Sequence, residues 1–339
     1  MESVTDLISL ENETNLDYTY YYENYTRSYH KKSIAFRDIC FVVTCSVFCL
    51  LGIIGNGLVI YFGLFRMKKT VNVVWFLSLA VADFIFSLLY PVNIIQHLLK
   101  NWSNFSCKLM QALLFINTSV SVLQLTVISV DRCICIVFPV LCHNHRRPRL
   151  AIIIALIIWI LSFVLATPSI IYVDTFTISD ATYCTTATDF SIIVKKTVLG
   201  FVFYFLLPFI VIACCYIVIV LYIRRKRIFS SSKPFKTMAA IIIAFFICWF
   251  PNYLIHFFII FRHISINVYV IYYGKFIALI LIIMNSCINP ILYVFIGRDF
   301  KEKCCGSFQV TFEKAFLEDE EKAQEGNIAL TRGHTEVVQ

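Results

Sequence analysis

Two carboxylates stand in stretches of chain that are otherwise hydrocarbon. Between Glu23 and Glu302 there is no glutamate, and Asp83 and Asp131 are the only acids inside the long apolar segments. A carboxylate at mid-bilayer costs roughly 2.5–3.5 kcal/mol on insertion scales, so those that remain are expected to have work to do. Asp131 precedes Arg132, and an acid beside a base at a helix end can hold a bundle closed until the cation is released to a partner. The competing reading is an arginine that snorkels and anchors a helix end. Asp83 needs hydrogen-bonding partners, and Asn117, Ser121, Asn285 and Asn289 can supply oxygens; a protonated Asp83 among bonded neighbours is the alternative. Three cations, Lys196, His256 and Lys275, fall in the outer turns of later segments, where they suit an acidic ligand group such as a peptide C-terminal carboxylate. Trp249, Asn252 and His256 are spaced i, i+3, i+7 and share one helix face. Asn93 and Phe115 complete the candidate ligand contacts. Lysines that snorkel to lipid headgroups are the rival reading. No P-loop, G-x-S-x-G, H-E-x-x-H or C-x-x-C is present, so the chain reads as no enzyme.

Elements that can hold these groups follow from composition. The 339 residues are 59% hydrophobic and only 15% charged, well below the quarter or so charged in soluble domains. A hydrocarbon core about 30 Å thick takes about 20 residues of helix, and helix is required because lipid offers no partner for free backbone groups. Seven segments qualify: Ile39–Phe65, Val73–Leu98, Cys107–Phe138, Leu150–Tyr172, Lys196–Ile223, Thr237–Phe261 and Val268–Ile296. The expected fold is an all-α seven-helix membrane bundle. Residues 1–38 form an outer tail, 39–296 the bundle, and 297–339 a short amphipathic eighth helix and a cytoplasmic tail. Basic residues set the direction. Arg66, Lys68, Lys69, Arg146, Arg147, Arg149, Arg224, Arg225, Lys226, Arg227, Lys233, Lys236, Arg298, Lys301 and Lys303 all fall on one side, which the positive-inside rule makes cytoplasmic. The net charge of +8 is thereby explained by topology rather than by nucleic acid. The sequons at Asn12, Asn24, Asn101 and Asn104 lie on the opposite, extracellular side; the one at Asn117 sits within a span. At about 1.5 Å per residue, Lys196 lies roughly 18 Å above Pro208 and Lys275 roughly 21 Å above Asn289.

The ordered motifs carry a resemblance. Gly55-Asn56, Leu79-Ala80-Val81-Ala82-Asp83, Asp131-Arg132-Cys133, Trp159, Pro208 with Tyr216, Cys248-Trp249-Phe250-Pro251 and Asn289-Pro290-Ile291-Leu292-Tyr293 occur in succession, one set per span. Together they resemble the rhodopsin-like G-protein-coupled receptors over about residues 39–305. Met67-Lys68-Lys69-Thr70-Val71-Asn72, Asn144-His145-Arg146, Ser232-Lys233-Pro234-Phe235-Lys236 and Gly297-Arg298-Asp299-Phe300 resemble the chemoattractant branch of formyl-peptide and chemerin receptors. Two ligand-facing segments depart from that branch: a shorter loop over Ser169–Lys195, and Asn101-Trp102-Ser103-Asn104-Phe105 ahead of Cys107. Phe115 departs too, where formyl-peptide receptors place an aspartate.

The resemblance implies a plasma-membrane receptor with its N-terminus outside, for a peptide, small protein or lipid chemoattractant. Its partners would be an inhibitory-class heterotrimeric G protein, arrestin and membrane lipids, in immune or chemotactic cells. It implies activation switches at Asp131, Arg132, Tyr216, Phe245, Trp249, Pro251, Asn289, Pro290 and Tyr293. It also implies an allosteric sodium ion at Asp83, Asn117, Ser121, Asn285 and Asn289. Leu114 stands where amine receptors carry an aspartate and Ile283 where opsins carry the retinal lysine, so neither ligand class is expected. Of the fourteen cysteines, most read as packing residues; Cys107 and Cys184 are the pair placed outside, where a disulfide persists. Cys304-Cys305 offer palmitoylation or a plain thiol pair. Tyr18, Tyr20, Tyr21, Tyr22 and Tyr25 offer either a disordered tail or a sulfated anionic arm. A non-signalling decoy of the same fold, and a channel or transporter, are the alternative functions.

Overall fold

The computed structural model describes residues 34–178, 181–186, 190–226, 233–261 and 268–296. The outer tail before residue 34, Cys304-Cys305, Asn12, Asn24 and the segment expected as an eighth helix lie outside these residues.

Among the described residues there are seven spans. They are α1 (Ile34–Phe65), α2 (Val71–Leu99), α3 (Asn104–Val137), α5 (Pro148–Ile171), a fifth made of α6 (Phe190–Phe201) and α7 (Leu207–Lys226), α8 (Lys233–Ile260) and α9 (Val268–Ile296). A short helix, α4 (Pro139–His145), links α3 to α5 and is too short to cross a bilayer. The span starts are capped in the usual way: Thr70 accepts from the Val73 amide, and Ser103 from the Ser106 amide. Lys100 ends α2 in the left-handed conformation, φ 48°.

Burial sorts the helix faces. On α5, Ala151, Ala155, Ser162 and Ala166 are buried while Ile152, Ile153, Leu156, Ile157 and Ile160 are exposed. That inverts a soluble helix: small residues allow close packing on α3, and large hydrocarbons face lipid. The central core is built from Trp75, Leu79, Val122, Leu125, Ile128, Phe245 and Trp249. Asn56 ties α1 to α9, its amide donating to the Gly52 and Ser286 carbonyls at 2.9 and 2.8 Å.

The all-α bundle is as expected, and two features are added to it. β1 (Val173–Ile178) and β2 (Ala181–Thr186) pair antiparallel, with Thr175 opposite Cys184. Val-Asp-Thr-Phe-Thr-Ile and Ala-Thr-Tyr-Cys-Thr-Thr are rich in β-branched and aromatic residues, a strand signal overshadowed by the helical pattern around it. The Cys107–Cys184 disulfide fastens this hairpin to the top of α3. Lys100 O also accepts from the Thr182 amide at 2.7 Å, and Phe176 stacks on Tyr183. The second feature is a Cys135–Cys142 bond at the cytoplasmic end. Cys135 and Cys142 therefore do more than fill space. The chain reverses at Phe138-Pro139, so residues seven apart in sequence meet across the α3–α4 corner. In a cytosol that keeps thiols reduced, the pair stands as adjacent thiols.

Candidate functional site

The fifth span is interrupted by design. Pro208 has no amide to donate, and the turn before it, Val202–Leu206, widens to π-helical geometry. The widened turn joins α6, which carries Lys196, to α7, which carries Tyr216. Lys196 faces a cavity of about 350 Å³ that Gln111, Leu114, Phe115, Thr118, Tyr204, Trp249, Asn252, His256 and Lys275 also line. Five of the six candidate ligand contacts thus meet in one space, and Asn93, half-buried on α2, is not among its lining residues.

Charge in this cavity is one-sided: no Asp or Glu is among its described lining residues. Lys196 Nζ sits 4.9 Å from the Phe115 ring centroid, a cation–π contact that leaves its N–H donors available to an anion. His256 Nδ1 lies 2.8 Å from the Asn252 carbonyl. A carbonyl only accepts, so Nδ1 carries the proton and Nε2 is the atom turned to chemistry. The floor is Trp249, whose buried indole N–H has no hydrogen-bond partner, and Phe245 packs a turn below at 6.0 Å between ring centroids. Pro251 interrupts the backbone ladder just above them.

Further in, Asp83 is fully buried. Its two oxygens accept from the side-chain amides of Asn117 and Asn289, each at 2.9 Å, which binds α2, α3 and α9 together. The buried Ser121 hydroxyl has no hydrogen-bond partner, the Ser286 hydroxyl lies against the Asp83 carboxylate, and Asn285 is buried next to Ser286 on α9. A carboxylate flanked by two serine hydroxyl oxygens is an all-oxygen donor set of the kind hard cations take, and the residues present fit a sodium ion.

At the cytoplasmic end, Asp131 is shared. Arg132 Nη2 approaches Asp131 Oδ2 at 3.3 Å, while Arg146 makes the two-point contact, Nε to Oδ1 at 3.0 Å and Nη2 to Oδ2 at 3.1 Å. Asn72 Oδ1 accepts from both guanidiniums. This ion-pair cluster therefore joins α2, α3 and the segment after α4, rather than consisting of two neighbours on one helix.

Comparison with known proteins agrees with this layout. The family described as "7 transmembrane receptor (rhodopsin family)" matches residues 55–293. Chemerin-like receptor 1 of Homo sapiens is 40% identical over 286 residues, 78% of this chain and 76% of that protein. Its Sus scrofa counterpart is 41% identical over 286 residues, 78% of each chain. N-formyl peptide receptor 3 of Homo sapiens is 34% identical over 307 residues, 83% of this chain and 85% of that protein.

The chain belongs to the rhodopsin family of seven-transmembrane receptors. It falls in the chemoattractant branch, it is a multi-pass membrane receptor, and its role is not enzymatic.

The receptor's remaining candidate residues are placed as follows. Leu114 lines the outer cavity, and Ile283 is buried in a cluster with Phe41 and Tyr90. Tyr216 is half-buried on α7, and Pro290 is buried in α9. Tyr293 continues α9, and its side chain lies outside the described residues. Of the sequons, Asn101 and Asn104 are both exposed, and the Asn104 amide donates to Asp174 Oδ1. Arg146 and Asn72 are the residues that sequence reasoning did not assign to the latch. Both stand within the segments that carry the likeness to chemoattractant receptors, and that likeness was the available signal.

Proposed function

We propose that this receptor recognises an extracellular chemoattractant bearing an acidic group, most simply a peptide C-terminal carboxylate, and activates an inhibitory-class G protein. The observation that carries the reading is the convergence of Lys196, His256 and Lys275 on a cavity without a described acid, floored by Trp249. In this reading the carboxylate takes hydrogen bonds from the two lysines, and from His256 Nε2 once that nitrogen is protonated. The ligand body presses on Trp249 and Phe245 beneath Pro251, where the interrupted helix can pivot. Outward movement of the cytoplasmic half of α8, with adjustment of α9 at Pro290, makes room for the G protein. Arg132 leaves Asp131 and Asn72 and becomes the cation that meets it. The names of two relatives, Chemerin-like receptor 1 and N-formyl peptide receptor 3, support an extracellular ligand of peptide character.

Sodium belongs to the closed state. Asp83, Ser121 and Ser286 would hold it, with Asn117 and Asn289 orienting the carboxylate and Asn285 beside them. When bound, the ion supplies a positive charge that offsets Asp83 in the core. Arrestin is the second cytoplasmic partner, N-glycans sit on the outer sequons, Asn101 and Asn104 both being exposed near the bundle, and Cys304-Cys305 carry palmitate.

The test is a set of matched peptides, free acid against C-terminal amide, read by nucleotide exchange and competition binding. Lys196→Ala and Lys275→Ala are each expected to weaken the acid by about 10–100-fold while barely moving the amide, the range of a charged hydrogen bond. Equal losses for acid and amide would remove the cationic cavity from ligand recognition.

A further inference from the structure

A second cavity lies at the cytoplasmic end, away from the outer pocket. It has a volume of about 310 Å³ and is walled by α2, α3, α4 and α5, with Trp75, Ile134, Leu141 and Ile154 among its apolar lining. Val130, Ile134 and Leu150 in the wall are exposed apolar side chains on spans at their cytoplasmic ends, which directs the opening toward the inner leaflet. The volume stands at the lower end of the roughly 300–1,000 Å³ range of small-molecule sites. That is room for a single chain rather than a two-chain lipid.

Two independent features say what chemistry it would take. Trp75 is only 2% exposed, lines the cavity, and its indole N–H has no hydrogen-bond partner. A buried donor without an acceptor costs about 1–3 kcal/mol, a penalty that an acceptor brought by an occupant would relieve. The lip is basic: His145, Arg146 and Arg147 all line it, against the single acid Asp131. Asp131 is neutralised by two guanidiniums, so it does not repel an anion. Asn72, which accepts from Arg146, precedes Trp75 by three residues on α2, so the guanidinium and the indole share one end of the cavity. Hydrocarbon walls, a cationic lip and an orphan donor complement an apolar chain ended by anionic oxygens.

We infer that this cavity binds a single-chain anionic amphiphile from the cytoplasmic leaflet, its chain between α3 and α5 and its head group at Arg146, Arg147 and Trp75. Both a fatty-acid carboxylate and a lysophospholipid phosphate present that chemistry. The site touches Asp131 and Arg146, so its occupant lies directly against the closed latch.

The full-length receptor in phosphatidylcholine nanodiscs, titrated with oleate and read by native mass spectrometry, tests the site. One saturable equivalent of oleate is expected, with oleyl alcohol at least about tenfold weaker because the charged hydrogen bonds are lost. Trp75→Phe keeps the ring but removes the donor, and Arg147→Gln removes an exposed cation; each is expected to weaken oleate several-fold. Ile154→Trp fills the cavity and is expected to abolish binding. Should that variant fail to fold, the exposed Arg147→Gln still decides the matter. Oleoyl lysophosphatidate binding in place of oleate, and sensitive to the same variants, assigns the phosphate source. Oleate and its alcohol binding alike, binding indifferent to these variants, or dioleoyl phosphatidylserine binding as one equivalent in preference to both single-chain anions would overturn the proposal.

Discussion

Asp131 and Arg132 are adjacent in sequence, and adjacency misleads about their geometry. Side chains at i and i+1 on a helix point about 100° apart, so the stronger partner of Asp131 comes from elsewhere, fifteen residues on at Arg146. No spacing rule assigns such a partner, because its approach depends on how α4 turns the chain. Asp83 was easier to read: an acid in hydrocarbon demands partners, and Asn117 and Asn289 among those proposed do donate to it. Ser286, whose hydroxyl joins that layer against Asp83, is not signalled by the sequence, since a serine in a membrane helix ordinarily bonds its own backbone. The sodium reading makes a ligand-free prediction at this scale. Replacing N-methylglucamine by sodium at constant ionic strength should raise the melting temperature of the purified receptor, as binding to the native state must. Asp83→Asn should flatten that dependence; an undiminished sodium effect in the variant would move the ion elsewhere.

At the scale of elements, the spans were legible and their contacts were not. Twenty apolar residues name a helix whatever its neighbours, whereas the meeting of α1 with α9 depends on Gly55. A Cβ added there would lie 3.0 Å from both Cβ and Cγ of Pro290. The proline ring cannot swing aside, so Gly55→Ala should force the helices apart and cost about 1–3 kcal/mol, seen as a lower melting temperature. Gly57→Ala is the matched control, since its Cβ would meet Phe84 no closer than 3.4 Å. Equal stability of both variants and the parent would show that this contact is not tight. The outer hairpin escaped notice for a different reason. Strands of six residues are ambiguous from pattern alone, and the pairing is supported from outside itself by the α3 disulfide and the Lys100 carbonyl. The π-turn at Val202–Leu206 was invisible too, although Pro208, its physical cause, was in view.

At the scale of the whole molecule, an outer cationic cavity, a polar layer at Asp83 and an inner latch at Asp131 lie along the same bundle. Two proline-interrupted helices, α8 and α9, line the outer cavity, and α9 reaches on to Asp83 through Asn289. Topology and orientation were set by hydrocarbon and basic residues, and family by ordered motifs; the ligand was not legible, because the outer segments depart from the branch where they face it. The central claim is that the latch restrains a receptor that signals, as opposed to a decoy that only captures ligand. Its most direct test needs no ligand: nucleotide exchange on a purified inhibitory-class G protein by the receptor reconstituted in nanodiscs. Asp131→Asn frees the guanidiniums and is expected to raise the basal rate several-fold above wild type, whereas Arg132→Ala, equally well folded, is expected to fall to the rate of empty discs. Exchange at the empty-disc rate for wild type and Asp131→Asn alike would contradict the account.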